Sequence, residues 1–269
     1  MVGFPASSYK HSLRFRVAFL KLPLYRSPSV WIHSPLSVLM GLVIVAGLLL
    51  SWPSNGGAAS GPDRYLKHIR TAIPILGTTM NEEAEPTGIV AEIRLEFLQR
   101  RDHDGVKLEF QTTPGKFSPF AQQSIIQALY RVVEVAALNP DSWTVRFQLP
   151  YPGVTLYGES LSAMAALTIV ALAKDEPIDE ETILTGTVTA DGHVGTVGGV
   201  PLKILAAHEQ HFRTVLIPEE PDVADGDWVT PFLMDVRPVS SISKAYLALT
   251  NRPLRTPLSK HSITAALTH

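Results

Sequence analysis

The chain has 269 residues, a formal net charge of −2, 45% hydrophobic and 18% charged residues, and no cysteine. That apolar content excludes a disordered chain, and the missing cysteine excludes disulfides, thiol nucleophiles and thiolate metal sites while suiting an oxidising compartment. Residues 1–60 hold five bases (Lys10, Arg14, Arg16, Lys21 and Arg26) and no acid, which leaves 18 bases against 25 acids beyond them; such a mildly acidic body is a poor match for nucleic acid, whose phosphates call for clustered Lys and Arg.

In chain order, residues 1–30 read as a basic cytoplasmic segment and 31–52 as one transmembrane helix. Leu36 to Trp52 carries no charge, and the 22 residues from Trp31 to Trp52 would span roughly 33 Å as a helix, enough for a hydrocarbon core of about 30 Å. Trp31 and Trp52 stand where interfacial aromatics belong, and the preceding bases put the N-terminus in the cytoplasm and the main domain on the outer, periplasmic or extracytoplasmic side. Pro35 falls in the first turn, where a helix tolerates it. A retained anchor is the leading reading. A signal peptide cut near Ala58-Ala59 and an acid-free organellar transit segment are the alternatives. Residues 53–62 form a Gly/Ser/Pro linker.

The segment 63–250 reads as one folded domain. Apolar residues alternate from Thr87 to Phe97 (Ile89, Ala91, Ile93, Leu95), which predicts a strand. Asp104-Gly105 is a hairpin signal, with a second strand over 106–112. Ser118-Pro119 reads as an N-cap and first helical residue. It opens a helix over 120–138 that stops before Asn139-Pro140. A strand over 143–149, a loop over 150–159 and an Ala-rich helix over 160–173 follow. Further strands are expected at 183–189 and 193–197, about an Asp191-Gly192 turn. Gly198-Gly199 leads into a helix over 201–211, followed by strands at 214–217 and 232–236 and a helix over 240–249. Helices and strands mix without a regular βαβ repeat, which indicates α+β. Residues 251–269 look like a loose tail.

Several chemistries are absent as motifs. There is no G-x-x-x-x-G-K-[ST] phosphate loop and no H-E-x-x-H. His208 and His211 share a helix face without a carboxylate at metal-motif spacing, so no metal or cofactor is expected. Asp179, Glu180 and Glu181 read as a solvated acidic run. Two features carry more. Gly158-Glu159-Ser160 lies at a loop-to-helix junction, where a serine hydroxyl and the first amides of a helix share one space and can stabilise an oxyanion. Lys203 lies in an apolar run (Val200, Leu202, Ile204, Leu205, Ala206, Ala207) after a double glycine. Burial among such neighbours disfavours the ammonium form, and a neutral amine can deprotonate a serine.

The stretch from Thr185 to Glu219, TGTVTADGHVGTVGGVPLKILAAHEQHFRTVLIPE, resembles the segment of Lon proteases that carries their catalytic lysine. There a Thr-Gly-Glu strand precedes a Gly-rich turn, a lysine-bearing helix and a Thr-Val-Leu-Ile-Pro strand. Upstream, Gly158-Glu159-Ser160-Leu161-Ser162-Ala163 resembles the family's serine segment, and the separation of 43 residues between Ser160 and Lys203 matches without a gap. The resemblance covers about 62–250. It implies a Lon proteolytic-domain-like fold (ribosomal protein S5 domain 2-like) and a serine endopeptidase; joined to the anchor read at 31–52 and the missing phosphate loop, it leads to the expectation of a membrane-anchored endopeptidase that works without ATP on exposed or unfolded polypeptide. In it Ser160 is the nucleophile, Lys203 the base and Thr185 the residue that orients the lysine. The amides of Ser160 and Leu161 form the oxyanion site, and Gly158 and Glu159 meet the substrate. It further implies a polypeptide substrate, a ring-forming homo-oligomer such as a hexamer, and a possible separate ATPase partner. The sequence departs from the family where Tyr157-Gly158-Glu159 stands for Asp-Gly-Pro, Ser162 for a glycine and Thr187 for a glutamate. These departures motivate the alternative of a Lon-like domain that serves as a membrane-tethered scaffold or as a subunit of a larger complex.

Overall fold

Strand β1 (Tyr65–Met80) turns at Asn81 into β2 (Pro86–Arg100). A computed structural model describes residues 65–255. The anticipated membrane helix at 31–52, the linker and residues 256–269 lie outside the described residues; among those described, no helix is long and apolar enough to cross a membrane. The β1–β2 turn is self-contained. The Asn81 side-chain oxygen accepts from the amides of Glu83 at 3.0 Å and Glu85 at 2.8 Å, an arrangement the short Asn side chain favours.

The sequence reading places no strand before Thr87, yet β1 is 16 residues long. Pro74 hides it from pattern reading, because proline lacks the ladder donor. The strand survives as the edge of a four-stranded sheet ordered β1-β2-β5-β3, where a proline is tolerated. Here β3 is Lys107–Phe110 and β5 is Trp143–Gln148. The expected hairpin across Asp104-Gly105 does not form. β5 inserts between the two strands, antiparallel to β2 and parallel to β3. The wedge that holds them apart is the buried Arg100 guanidinium, which donates to the carbonyls of Trp143 (2.7 Å), Gly105 (2.5 Å) and Asp141 (3.2 Å) and to the Thr144 hydroxyl (2.6 Å), while Asp102 pairs with its Nε at 2.7 Å.

After the short β4 (Lys116–Phe117), helix α1 (Pro119–Ala136) starts as its sequence dictates. The Ser118 hydroxyl accepts from Ala121 N–H, Pro119 follows, and the helix ends on the left-handed Ala137. Its buried residues Ile125, Leu129, Val132, Val133 and Ala136 keep helical spacing. β6 (Thr155–Leu156) pairs with β4. Helix α2 (Ser162–Ala173) is buried on every side from Ser162 to Ala171 and runs through the main core with Ile93, Leu95, Phe97, Val145 and Phe147. At its C-terminus the Lys67 ammonium donates to the carbonyls of Leu172 and Ala173 at 3.1 and 2.9 Å, which answers the negative end of the helix dipole.

The single strand expected at 183–189 is broken in two. β7 (Thr182–Leu184) joins a parallel sheet ordered β11-β10-β7. β8 (Thr187–Val188) leaves it to pair with β9 (Val194–Gly195). The break falls at Thr185–Gly186. Thr185 still donates to Leu216 O at 3.0 Å, as a β7 residue should, but the next amide, that of Gly186, turns to Ser160 O at 2.8 Å. Helix α3 (Val200–Glu209) then crosses to β10 (Thr214–Pro218), which lies parallel to β7. This second core comprises Leu76, Ile183, Val197, Val200, Ile204, Ala207, Val215, Ile217 and Met234. The strand expected at 232–236 is displaced to β11 (Asp235–Val239). A turn occupies 231–234, with Leu233 left-handed and Met234 N–H bonded to Pro231 O. Helix α4 (Ile242–Thr250) is capped by Ser241 and ends on Asn251. The start of the expected tail is not loose. Leu254 is buried, and the Lys174 ammonium donates to the carbonyls of Pro253 and Leu254 at 2.9 and 3.1 Å.

Candidate active site

The candidate residues lie where α2 begins, where β7 ends and on the first turn of α3. Residues 157–161 are irregular backbone. Tyr157 is exposed, and Gly158 has φ +91° with open space on its Cα. Glu159 is exposed, and its carbonyl accepts from Ser162 N–H at 2.9 Å. The helix expected from Ser160 starts two residues later, and Leu161 is its N-cap, with no side chain closing that end. Ser160 is therefore a half-exposed turn residue at the positive end of a deeply buried helix. Among the described residues, neither the amides of Ser160 and Leu161 nor the Ser160 hydroxyl has a hydrogen-bond partner. Such amides at a helix start are free to bind an anion.

Ser160 and Thr185 belong to one hydrogen-bonded unit. The Gly186 amide donates to Ser160 O at 2.8 Å, and the Ala163 amide donates to Gly186 O at 3.2 Å. The two bonds bracket the serine turn against the residue after Thr185. Thr185 is fully buried and its hydroxyl has no partner. An unpaired buried hydroxyl costs free energy, on the order of 1–3 kcal/mol.

Lys203 arrives from α3. It occupies the buried stripe of that helix with Val200, Ile204 and Ala207, the face packed on Ile183 of β7 and Val215 of β10. It is only 3% exposed, and among the described residues its ammonium makes no hydrogen bond or ion pair. Burial pulls its pKa from 10.5 down to about 8, against the opposing charge of Asp225. The helix lies close on β2. A Cβ added to Gly88 would meet the carbonyl oxygen of Leu202 at 1.9 Å. The double glycine ahead of α3 brings the backbone close to a neighbour. Gly199 does so, left-handed at φ +70° and 2.7 Å from the Thr78 methyl at the position of its absent Cβ.

Asp225 was missed by the sequence reading. Its two carboxylate oxygens accept from the amides of Gly199 (2.7 Å) and Val200 (3.0 Å) and so cap α3 from 25–26 residues away. In the sequence it is one acid among Asp222, Asp225 and Asp227, with no local pattern to mark it. His208 and His211 are exposed, and among the described residues no group of His, Asp and Glu gathers that could hold a metal.

The described residues form a mixed α/β domain. Residues 116–242 match the Lon protease (S16) C-terminal proteolytic domain, a span that contains Ser160, Thr185, Lys203 and Asp225. The chain is 31% identical to Lon protease of Escherichia coli K12 over 157 residues, which is 53% of this chain and 19% of that protein. It is 27% identical to the archaeal Lon protease of Thermoplasma acidophilum over 176 residues, 63% of this chain and 26% of that protein. With Lon protease of Rickettsia felis it shares 30% identity over 122 residues, 45% of this chain and 16% of that protein. The chain thus spans about a quarter or less of the length of these relatives.

Proposed function

We propose that the domain is a serine endopeptidase with a Ser160–Lys203 dyad, acting without ATP on exposed or unfolded polypeptide. The observation that carries this reading is the desolvated Lys203. Its amine is neutral in an appreciable fraction of molecules near neutral pH, because burial has brought its pKa to about 8, which is where a general base works best.

In this reading the Ser160 hydroxyl attacks the scissile carbonyl and Lys203 Nζ takes its proton. The amides of Ser160 and Leu161, at the positive end of α2, hold the oxyanion. Lys203 then returns the proton to the leaving amine, and water, deprotonated by the same amine, releases the acyl group from Ser160. The family resemblance gives Thr185, whose buried hydroxyl is without a partner, the part of orienting the lysine amine. Gly158 and Glu159 border the approach of the substrate chain. The hydropathy of 31–52 supports a membrane tether with this domain on the outer side, and the family resemblance supports a ring of several copies, with or without a separate unfoldase.

The departures at Tyr157, Glu159, Ser162 and Thr187 favour a second reading, a non-cleaving scaffold with the same fold. The experiment that decides is cleavage of casein by the full chain in detergent without ATP, beside Ser160→Ala and Lys203→Ala. The peptidase reading expects a cleaving parent and two folded variants slowed by at least about 10³-fold. A parent and variants equally inert leave the scaffold.

A further inference from the structure

Helix α3 has no N-terminal cap of its own. Its N-cap is the left-handed Gly199, which offers no side chain, and Pro201 lies within its first turn. The cap comes instead from the loop between β10 and β11, and that loop is built to deliver it. The Thr196 hydroxyl donates to Glu220 O at 3.2 Å, which ties the start of the loop to the chain just ahead of α3. Asp222 then caps a single 3-10 turn, Val223–Asp225. Its Oδ1 accepts from Ala224 N–H at 3.0 Å and its carbonyl accepts from Asp225 N–H at 3.0 Å. The turn points Asp225 at the helix start, where one oxygen takes the Gly199 amide and the other the Val200 amide. Lys203 N–H in turn bonds to Gly199 O at 3.1 Å. The residue that Asp225 grips is thus the residue on which Lys203 closes its turn of helix.

We propose that Asp225 is a positioning residue for Lys203, fixing the first turn of α3 through its two amide contacts and holding a negative charge near the buried amine. This rests on the reading of Lys203 as the base. The elements packed against that face of α3 present Leu76, Val90, Ile183 and Val215, with Gly88 and Thr78 in close approach, and none of these titrates. Of Asp222, Oδ1 is turned onto Ala224, while Oδ2 lies beside Gly198, 3.1 Å from where a Cβ there would stand, a charge that both Asp225 variants leave in place. The field of Asp225 therefore acts against burial and holds up the proton affinity of Lys203. A lysine that deprotonated at much lower pH would be a weaker base and a poorer proton donor to the leaving amine.

The test is trace acetylation of the full chain with acetic anhydride across pH 6–11, with the Lys203 peptide quantified by mass spectrometry, in the parent, Asp225→Asn and Asp225→Ser. Both substitutions keep an oxygen able to cap α3 and remove the charge, so at least one is expected to fold. Cleavage rate against pH is followed in parallel. The labelling midpoint of Lys203 is expected to fall below the parent's value of about 8, the cleavage profile to move the same way, and kcat to drop about tenfold or more with KM little changed, since misplacement of about 1 Å can cost 10²-fold. An unmoved Lys203 midpoint in a folded charge-free variant overturns the proposal, whatever happens to the rate. A shifted midpoint in a protein that cleaves nothing upholds the role of Asp225 and removes the peptidase reading.

Discussion

The carbonyl of Ser160 accepts the amide of Gly186 at 2.8 Å, which binds the serine turn to the break between β7 and β8. The residue at that break must be small. A Cβ on Gly186 would lie 2.5 Å from Cγ1 of Val194 on the paired strand β9, and valine has little rotamer freedom with which to yield. Gly186→Ala is therefore expected to push the β8–β9 hairpin away and stretch the bond to Ser160. Stability should fall by about 1–3 kcal/mol. The cleavage rate should fall further, on the order of 10²-fold, because the error lands on the turn that carries the hydroxyl. Urea denaturation and peptide hydrolysis on one preparation separate the two effects. A rate loss no larger than that of a mutation remote from the site would deny Gly186 this part.

Gly88 sets how closely α3, the helix of Lys203, lies on β2. Its Cα faces the Leu202 carbonyl, and an added methyl would lie 1.9 Å from that oxygen, 2.6 Å from its carbon and 2.9 Å from the Ala206 Cβ. Backbone cannot rotate aside as a side chain can, so α3 must move bodily off β2. Gly88→Ala should cost about 3 kcal/mol or more and displace Lys203, the neighbour of Leu202. The urea midpoint is expected to drop with an unchanged slope. A variant as stable as the parent would mean that α3 does not lie this close to β2.

How much of this was legible in the sequence follows from how local each cause is. The strand around Ile89–Phe97, the strand from Trp143 and the Ser118-Pro119 helix start were readable because period-2 burial and a cap are written within a few residues. The serine and lysine segments stand on resemblance, and both fall within the matched span 116–242. β1 was not, because Pro74 interrupts the signal and only its edge position makes the proline harmless. The break at Thr185–Gly186 was not, because the partner of the Gly186 amide is Ser160, far back in the chain. Asp225 was invisible for the same reason. Its role is defined by two amides 25–26 residues away, and nothing beside it sets it apart from Asp222 or Asp227.

Arg100 explains why Asp104-Gly105 misled, and it yields a test of stability alone. Its guanidinium serves three backbone carbonyls, the Thr144 hydroxyl and Asp102. Arg100→Met removes every donor at once and strands buried acceptors, for a loss of about 2–4 kcal/mol. Arg100→Lys should rescue little, because a point charge cannot reproduce the planar fork. At temperatures where both variants are folded, kcat should match the parent, since Arg100 ends β2 beside Trp143 and Thr144 of β5 and is not among the site residues. Thermal unfolding monitored by circular dichroism, with rates taken well below the midpoint, checks both statements. Full rescue by lysine would show that the charge alone matters there.

Lys203 sets function against stability. In the unfolded chain its amine keeps a proton up to about 10.5, whereas in the fold it releases it near 8. Between those values the unfolded state binds the extra proton, so the Lys203 contribution makes stability rise with pH across that window. Below about pH 8 the folded protein carries an ammonium held in apolar surroundings, a penalty of about 3 kcal/mol at about 1.4 kcal/mol per pKa unit. Lys203→Met has similar length and no charge. It should abolish cleavage and yet stabilise the fold at pH 7 by up to about 3 kcal/mol, with the gain shrinking towards pH 10.5. In the parent, kcat/KM should climb as pH rises through about 8, as the free amine appears, and level off above it. Urea midpoints of parent and variant at pH 7 and pH 10 check the first expectation, and a pH–rate profile checks the second. A gain equal at both pH values, or a destabilised variant at pH 7, would mean that Lys203 is well solvated, and the case for it as a base would fall with that result.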